Sequence, residues 1–424
     1  MRSRIFSFLK NPTSTQVITN TLGNYLNVAF TAVFAVLLVR ILEPDQYGIL
    51  SVLLGISYVF ANVLEFGTTA TIYSTIPNLK GDDKAPLYRF IKSTLFFQSA
   101  LSISVLIVFT TLFPQIDALF FKTGAPIGDL YLTACSILFF IWQNFLINIL
   151  FAAKRFFRAN LYINLANLIK MIALALMVLY GKTSVGMVIA IFGIVGPLSF
   201  FLMMFSRNVS LGGDFWKAPI KKEEFRFGYT MTYFIASQFY NLGIRMDLFL
   251  LSFFGMGLQV GYYGLAQKII LTVLATVISV SQVLSPQFSS VKTYEERKAL
   301  LKKGLLYMTL PFAVFIALIL TPAELFTLVF TPKYQEAILV TRYLSAAFAL
   351  TSYGTIFTLF LLYSVKKPQI ILRSNIVLFL VITIGSYVLI PRYQMYGPPI
   401  AIFGAFVLAI GMQATWTFKY LIKH

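Results

Sequence analysis

The chain is poor in the residues that disulfide-bonded and metal-dependent proteins rely on, with one cysteine, Cys135, and one histidine, His424, among 424 residues. A lone cysteine forbids an intramolecular disulfide, and a lone histidine at the last position leaves metal chemistry and histidine-based catalysis close to excluded as primary functions. Charge is scarce as well. Asp, Glu, Lys and Arg make up 12% of the residues, where a soluble domain carries roughly a quarter. The scarcity is uneven, with 15 acidic side chains facing 34 basic ones.

Apolar residues fill the space that charge leaves, at 58% of the sequence with a mean hydropathy of +0.81. Such a chain belongs in a membrane. At about 20 apolar residues per crossing, this length allows about ten to fourteen crossings and no sizeable soluble domain. Apolar runs bounded by charge, Pro or Gly predict twelve helices, over 15–40, 47–76, 89–112, 129–152, 160–180, 186–206, 229–253, 261–288, 304–322, 337–364, 373–390 and 397–418. The first run follows a short basic leader (Arg2, Arg4, Lys10). It is too long for a signal peptide and lacks a small-residue cleavage site, so it reads as a retained span.

The net charge of +19 would suggest a nucleic-acid partner in a soluble protein. Here it is accounted for by topology. With the N-terminus in the cytoplasm, 25 basic residues fall in inner segments and 5 (Arg40, Lys122, Lys182, Lys333, Arg392) in outer ones, which predicts that both termini are cytoplasmic. The inner cations are scattered over seven segments, several with acids beside them, so no nucleic-acid surface is expected. Four basic residues remain inside predicted spans: Lys170, Arg245, Lys268 and Arg342.

The chain also repeats itself. Gly186-Met187-Val188-Ile189-Ala190-Ile191-Phe192-Gly193 recurs as Gly397-Pro398-Pro399-Ile400-Ala401-Ile402-Phe403-Gly404. Similar offsets relate Pro77 to Pro286, Pro114 to Pro322, Asp129 to Glu336 and Lys154 to Lys366. Six predicted spans per half give the halves the same orientation, a parallel repeat. The expected fold is all-α and integral to the membrane: a leader (1–14), a six-helix lobe (15–206), a cytoplasmic linker (207–228), a second lobe (229–418) and a short tail (419–424). Two pseudo-symmetric lobes would form a V around a central cavity.

Polar stripes at helical spacing mark the helices expected to see water. Span 1 carries Gln16, Asn20, Asn24, Asn27 and Thr31; span 2 carries Ser51, Tyr58, Asn62, Glu65 and Thr69. Span 5 carries Asn160, Asn164 and Asn167 leading to Lys170, and span 8 carries Lys268, Thr272, Ser279 and Gln282. Asn and Ser also serve as hydrogen-bonding glue between packed spans. In span 7, Gln238, Asn241, Arg245 and Ser252 share one face, while Tyr233, Tyr240 and Asp247 fall opposite. Arg245 and Asp247 lie about 200° apart around a regular helix. Each therefore needs a partner elsewhere, or Gly243 distorts the helix between them. Glu65, Lys170, Arg245 and Asp247 lie deep in the apolar layer, at about 3 kcal/mol each on insertion scales. A buried structural ion-pair set is one reading and a hydrated cavity the other; Lys268 and Arg342 are shallow enough to snorkel.

A basic, amide-rich site suits an anionic headgroup bearing hydroxyls, with Arg and Lys on phosphate and Asn, Gln and Tyr on sugar. That makes Arg245, Lys170, Lys268, Arg342, Asn24, Asn27, Asn62, Gln238 and Asn241 the expected substrate-binding residues. Glu65 and Asp247 are the candidates for coupling to a proton or sodium gradient, or else they neutralise the cations. No other cofactor and no structural metal is expected.

The segment Asn20-Thr21-Leu22-Gly23-Asn24-Tyr25, followed by Leu37-Leu38-Val39-Arg40-Ile41-Leu42-Glu43-Pro44-Asp45-Gln46-Tyr47-Gly48, resembles the opening of the polysaccharide transporter family, the Wzx-type O-antigen flippases. Val260-Gly261-Tyr262-Tyr263-Gly264-Leu265-Ala266 is similar to its second-half counterpart. The resemblance implies the multidrug/oligosaccharidyl-lipid/polysaccharide exporter fold, with spans 1, 2, 7 and 8 lining the cavity. It implies an undecaprenyl-diphosphate oligosaccharide as substrate, moved to the outer leaflet of the bacterial inner membrane. Surrounding lipids, a polysaccharide polymerase and a chain-length regulator are the partners it suggests. The rivals are a multidrug or cation antiporter of the same fold and a membrane-embedded polymerase or glycosyltransferase. The short outer loops, without an acidic metal-binding cluster, speak against the enzyme.

Overall fold

The computed structural model describes residues 12–79, 85–205, 213–225, 231–291 and 293–422. The leader cations Arg2, Arg4 and Lys10, the Asp82–Asp83 pair and His424 lie outside these residues, as do the side chains of Gln16, Asn20, Tyr233 and Gln282. Among the described residues the protein is all-helical. Ten stretches of the described residues are long and apolar enough to cross a membrane. The longest, Pro368–Leu421, holds two helices, and the helix carrying Arg245 and Asp247 is not among the ten.

The helices fall into two compact units. The first takes the described residues up to Phe34 together with Ile56–Pro114 and the described part of Pro126–Met231. It contains most of α1 (Pro12–Ile41), the end of α2 (Pro44–Val63), α3 (Thr68–Thr75), most of α4 (Ala85–Ile116), α5 (Ile127–Ala152) and α6 (Phe156–Leu179). The last predicted span of this half is two helices, α7 (Val185–Ala190) and α8 (Gly196–Phe205), joined by a π-helical turn at Ile191–Val195. Ser184 starts α7 by accepting a hydrogen bond from the Met187 amide. A core of Ile72, Phe90, Phe145, Leu146 and Phe200 holds the bundle together.

Part of the predicted linker is built into this unit. Phe215 joins the same core, Arg89 pairs with Glu224 at 2.8 Å, and Lys92 donates to the carbonyls of Trp216 and Ala218. Two cations counted as topological markers therefore also tie the linker to α4.

Span 2 is not the continuous 47–76 helix expected from its hydropathy. It is interrupted between α2 and α3, where Phe66 (φ 50°) and Gly67 (φ 75°) take left-handed backbone. Gly67 adopts this conformation without a Cβ penalty. Ser102 donates to the freed Leu64 carbonyl, and Thr68 donates to Glu65 O and to Gln98 Oε1. Irregular backbone survives at such depth only where neighbouring helices satisfy its polar groups.

The second unit comprises Ala35–Gly55, Gln115–Ala125 and Thr232–His424. Its helices are α9 (Met231–Phe253), α10 (Gly257–Ser290), α11 (Tyr294–Tyr307), α12 (Thr309–Ile319), α13 (Ala323–Phe330), α14 (Ala337–Leu359), α15 (Pro368–Tyr393) and α16 (Gly397–Ile422). Thr293 and Glu296 form a capping box that starts α11. The predicted span 304–322 is jointed at Met308 between α11 and α12. Helix α14 is the hub of the unit, packing on α10, α12 and α16. Gly261 on α10 and Gly48 on α2 let the two backbones press directly together: a Cβ on Gly261 would overlap the Pro44 carbonyl, and one on Gly48 would crowd the Gly257 carbonyl. Around this crossing Tyr334 donates to the Leu42 carbonyl, Lys333 pairs with Glu43, and the Tyr334 ring stands edge-on to both Tyr47 and Tyr262. Burial, with Tyr47, Glu43, Asp45 and Tyr262 nearby, keeps the Tyr334 phenol protonated well above its ordinary range.

Several positive-φ joints recur at the spacing of the repeated letters. Positive φ occurs at Lys154 and Lys366, both at 58°, at Lys122 and Thr331, and at Gly181 and Gln394. The partners lie 209 to 213 residues apart, the offset of the repeated letters.

Candidate functional site

In the second unit, α9 and α10 are joined by a buried hydrogen-bond network that takes in two charged side chains, Arg245 and Asp247. Tyr263 and Gln267 are one turn apart on α10 and face the same stripe of α9. Gln267 donates from Nε2 to both oxygens of Asp247, at 3.0 and 3.1 Å, and to the Ile244 carbonyl at 3.1 Å. Its Oε1 accepts from Arg245 Nη1 at 2.7 Å. Tyr263 donates to the other side of Asp247 at 2.5 Å, and the Leu248 amide donates to Oδ1 at 2.7 Å.

Asp247 is 1% exposed and Tyr263 fully buried. A buried carboxylate is tolerable when donors surround it, and here three groups do so. Helix α9 runs unbroken through Gly243, so Arg245 and Asp247 do not meet by distortion of the helix. They are joined through the amide of Gln267. Ser252, on the same helix, donates to the Phe121 carbonyl.

Of the remaining predicted cations of this unit, Lys268 follows Gln267 directly and lies near enough to Arg245 to repel it. Arg342 on α14 donates to the Thr321 carbonyl at 2.7 Å, closing the turn after α12. Lys268 on α10 has an exposed side chain. Gln238 donates to its neighbour Ser237 at 3.4 Å, and Asn241 is half-buried on α9.

In the first unit, Glu65 sits at the interruption of span 2. Its Oε2 accepts from Thr69 at 2.8 Å, Thr69 accepts from Asn148 Nδ2 at 2.8 Å, and Tyr73 donates to Asn148 Oδ1 at 3.4 Å. The carboxylate thus heads a hydrogen-bonded chain reaching α5. Lys170 lies 5.4 Å from the ring centres of Phe34 and Phe192, a cation held between two aromatic faces.

The stripes of spans 1 and 5 face one another. Asn167 donates to Asn27 Oδ1 at 2.8 Å, and Asn164 donates to the Gly23 and Asn160 carbonyls. Asn27 therefore takes part in an α1–α6 junction. Asn24 is half-buried one turn earlier, and Asn62 donates to its own helix at Tyr58 O.

The sequence reading missed Gln267 and Tyr263. The available signal was their i, i+4 spacing, a polar pair in an otherwise apolar run.

The family model described as polysaccharide biosynthesis protein matches residues 14–292. The chain belongs to that family. No curated protein matches it in sequence. Among solved structures it is similar to one described as lipid II flippase MurJ in an inward closed conformation, with 16% identity, TM-score 0.72 and coverage of 94% of this chain and 87% of that one. It is also similar to the inward-facing conformation of a multidrug resistance MATE family transporter of the MOP superfamily, with 15% identity, TM-score 0.71 and coverage of 96% and 98%. The MATE multidrug transporter DinF-BH matches with 17% identity, TM-score 0.70 and coverage of 97% and 96%.

At these identities the likeness establishes the fold. The family member is a multi-pass membrane protein, all-helical among the described residues, with the fold of the MOP superfamily transporters.

Proposed function

We propose that this protein is a flippase that moves an undecaprenyl-diphosphate-linked oligosaccharide, an O-antigen or similar surface-polysaccharide repeat unit, from the inner to the outer leaflet of the bacterial cytoplasmic membrane. Alternating access is the mechanism, and both termini are cytoplasmic.

One observation carries the reading: Arg245 is braced by a buried amide that also holds a buried carboxylate. A cation in an apolar helix costs about 2.5–3.5 kcal/mol, and a diphosphate supplies the counter-charge that offsets this cost. Lys170, Lys268 and Arg342 add positive charge, and Asn24, Asn27, Asn62, Gln238 and Asn241 offer amides to sugars. Glu65 and Asp247 couple the cycle to a proton or sodium gradient. Coupling works only if ion binding differs between the two states, since a ligand bound equally by both shifts nothing.

The chain's likeness to two MATE multidrug transporters favours a second reading, a drug or cation antiporter. Deletion separates the two. A flippase leaves lipid-linked oligosaccharide on the inner leaflet and removes surface glycan, whereas an antiporter changes drug sensitivity and leaves glycan intact.

A further inference from the structure

Within the second unit, α9, α14, α15 and α16 line a half-open cavity of about 230 Å³. None of its lining residues is charged. Its polar wall comprises Ser237, Thr351, Thr355, Thr358, Asn375 and Gln413, with Tyr240 and Phe406 as aromatic floor. Nothing in the Arg245–Gln267–Asp247 network lines it.

The hydroxyl protons of this wall are already committed. Ser237 donates to the Phe234 carbonyl, Thr351 to Phe348 O, Thr355 to Thr351 O and Thr358 to Gln413 Oε1. Gln413 in turn donates to Ser374, and Asn375 to the Ala236 carbonyl. With their protons given away, the hydroxyl oxygens keep lone pairs that accept. The wall is therefore rich in acceptors and carries no formal charge.

That chemistry selects the occupant. An anion such as phosphate needs positive charge or many converging donors, and this wall offers no charge and, beyond the bonds above, one further amide N–H from each of Asn375 and Gln413. A cation stripped of its water needs a carboxylate or a tight shell of oxygens, and a chamber of this size is far roomier than the ~10–15 Å³ one water needs. A drug-sized ligand needs about 300–1,000 Å³. What fits is a single ring bearing several O–H donors, with C–H faces to lay on Tyr240 and Phe406.

We propose that this cavity is a subsite for one uncharged pyranose residue of the glycan, separate from the cationic group that takes the diphosphate. The proposal rests on the flippase reading and assigns the glycan its own contact in the second unit.

The test uses the full chain in lipid nanodiscs and three probes: the methyl glycosides of a hexose, a 6-deoxyhexose and an N-acetylhexosamine, each titrated to about 100 mM by saturation-transfer NMR. At least one glycoside binds. Thr355→Val, which keeps shape and removes an acceptor, weakens that binding about fivefold, and Ser237→Leu combined with Thr355→Met abolishes it. The proposal is overturned if no glycoside binds, if binding survives the filled cavity unchanged, or if sodium chloride in place of choline chloride gives a cavity-dependent thermal stabilisation that the glycosides do not. If no glycoside binds while deletion still strands lipid-linked oligosaccharide on the inner leaflet, the subsite fails and the flippase stands. If deletion leaves surface glycan normal, the flippase reading fails whatever the glycosides do.

Discussion

Gln267 holds Asp247 by both carboxylate oxygens with one amide nitrogen. The opposite end of the same amide holds Arg245, so two charges that cannot face each other on one helix are coupled through a neutral side chain on another. Gln267→Leu removes a hydrogen-bond partner from both charges and is expected to cost about 1.5–3 kcal/mol, the range for hydrogen bonds to charged groups. Asp247→Asn added to Gln267→Leu should recover part of that loss, a coupling of about 1–3 kcal/mol in a double-mutant cycle read by thermal unfolding in detergent. Strict additivity would show that the amide does not link the pair.

Tyr263→Phe removes only the phenolic donor to Asp247. Hydrogen bonds to charged groups contribute about 1.5–3 kcal/mol, and a loss of stability in that range is expected. A neutral substitution would mean that the Leu248 amide and Gln267 suffice.

Arg245→Ala should abolish surface glycan while the protein still inserts in normal amount. Lipid-linked oligosaccharide then accumulates on the inner leaflet. Glu65→Gln retains an acceptor for Thr69 and should preserve folding while removing the dependence of transport on the ion gradient. Unchanged gradient dependence in both Glu65→Gln and Asp247→Asn would end the coupling role assigned to them.

The repeated motif ends in two glycines under opposite constraints. A Cβ on Gly193 would overlap Ser136, whose hydroxyl shares a 2.8 Å hydrogen bond with Ser57, whereas nothing lies within 4 Å of a Cβ on Gly404. Gly193→Ala should therefore destabilise by about 1–3 kcal/mol through overpacking. Gly404→Ala should be neutral or stabilise, by up to about 1 kcal/mol, because alanine is the better helix former. Thermal unfolding of the two single variants checks both.

Membrane class and the all-helical fold were legible in the sequence, because composition and periodicity are local properties. Partnership was not. Arg245 and Asp247 are conspicuous in an apolar run, but the residue that joins them is an ordinary glutamine on the next helix. Asn27 reads as a water-facing amide by its spacing, and the structure gives it to Asn167 across a helix pair. The interruption after Glu65 was hidden because Gly67 in an apolar run looks like a packing glycine. Thr351, Thr355 and Thr358 do recur at helical spacing, but uncharged hydroxyls, two bonded to their own helix and one to Gln413, leave no charge or compositional signal.

The positive-φ joints at Lys154 and Lys366 share one φ, 58°, and both follow the helix that ends a predicted span. Lys122 and Thr331 share only the sign of φ, with ψ at 40° and 151°. A non-glycine residue at positive φ costs about 1–3 kcal/mol. Lys154 and Lys366 are therefore corners at which the chain accepts backbone strain for the sake of a tight change of direction.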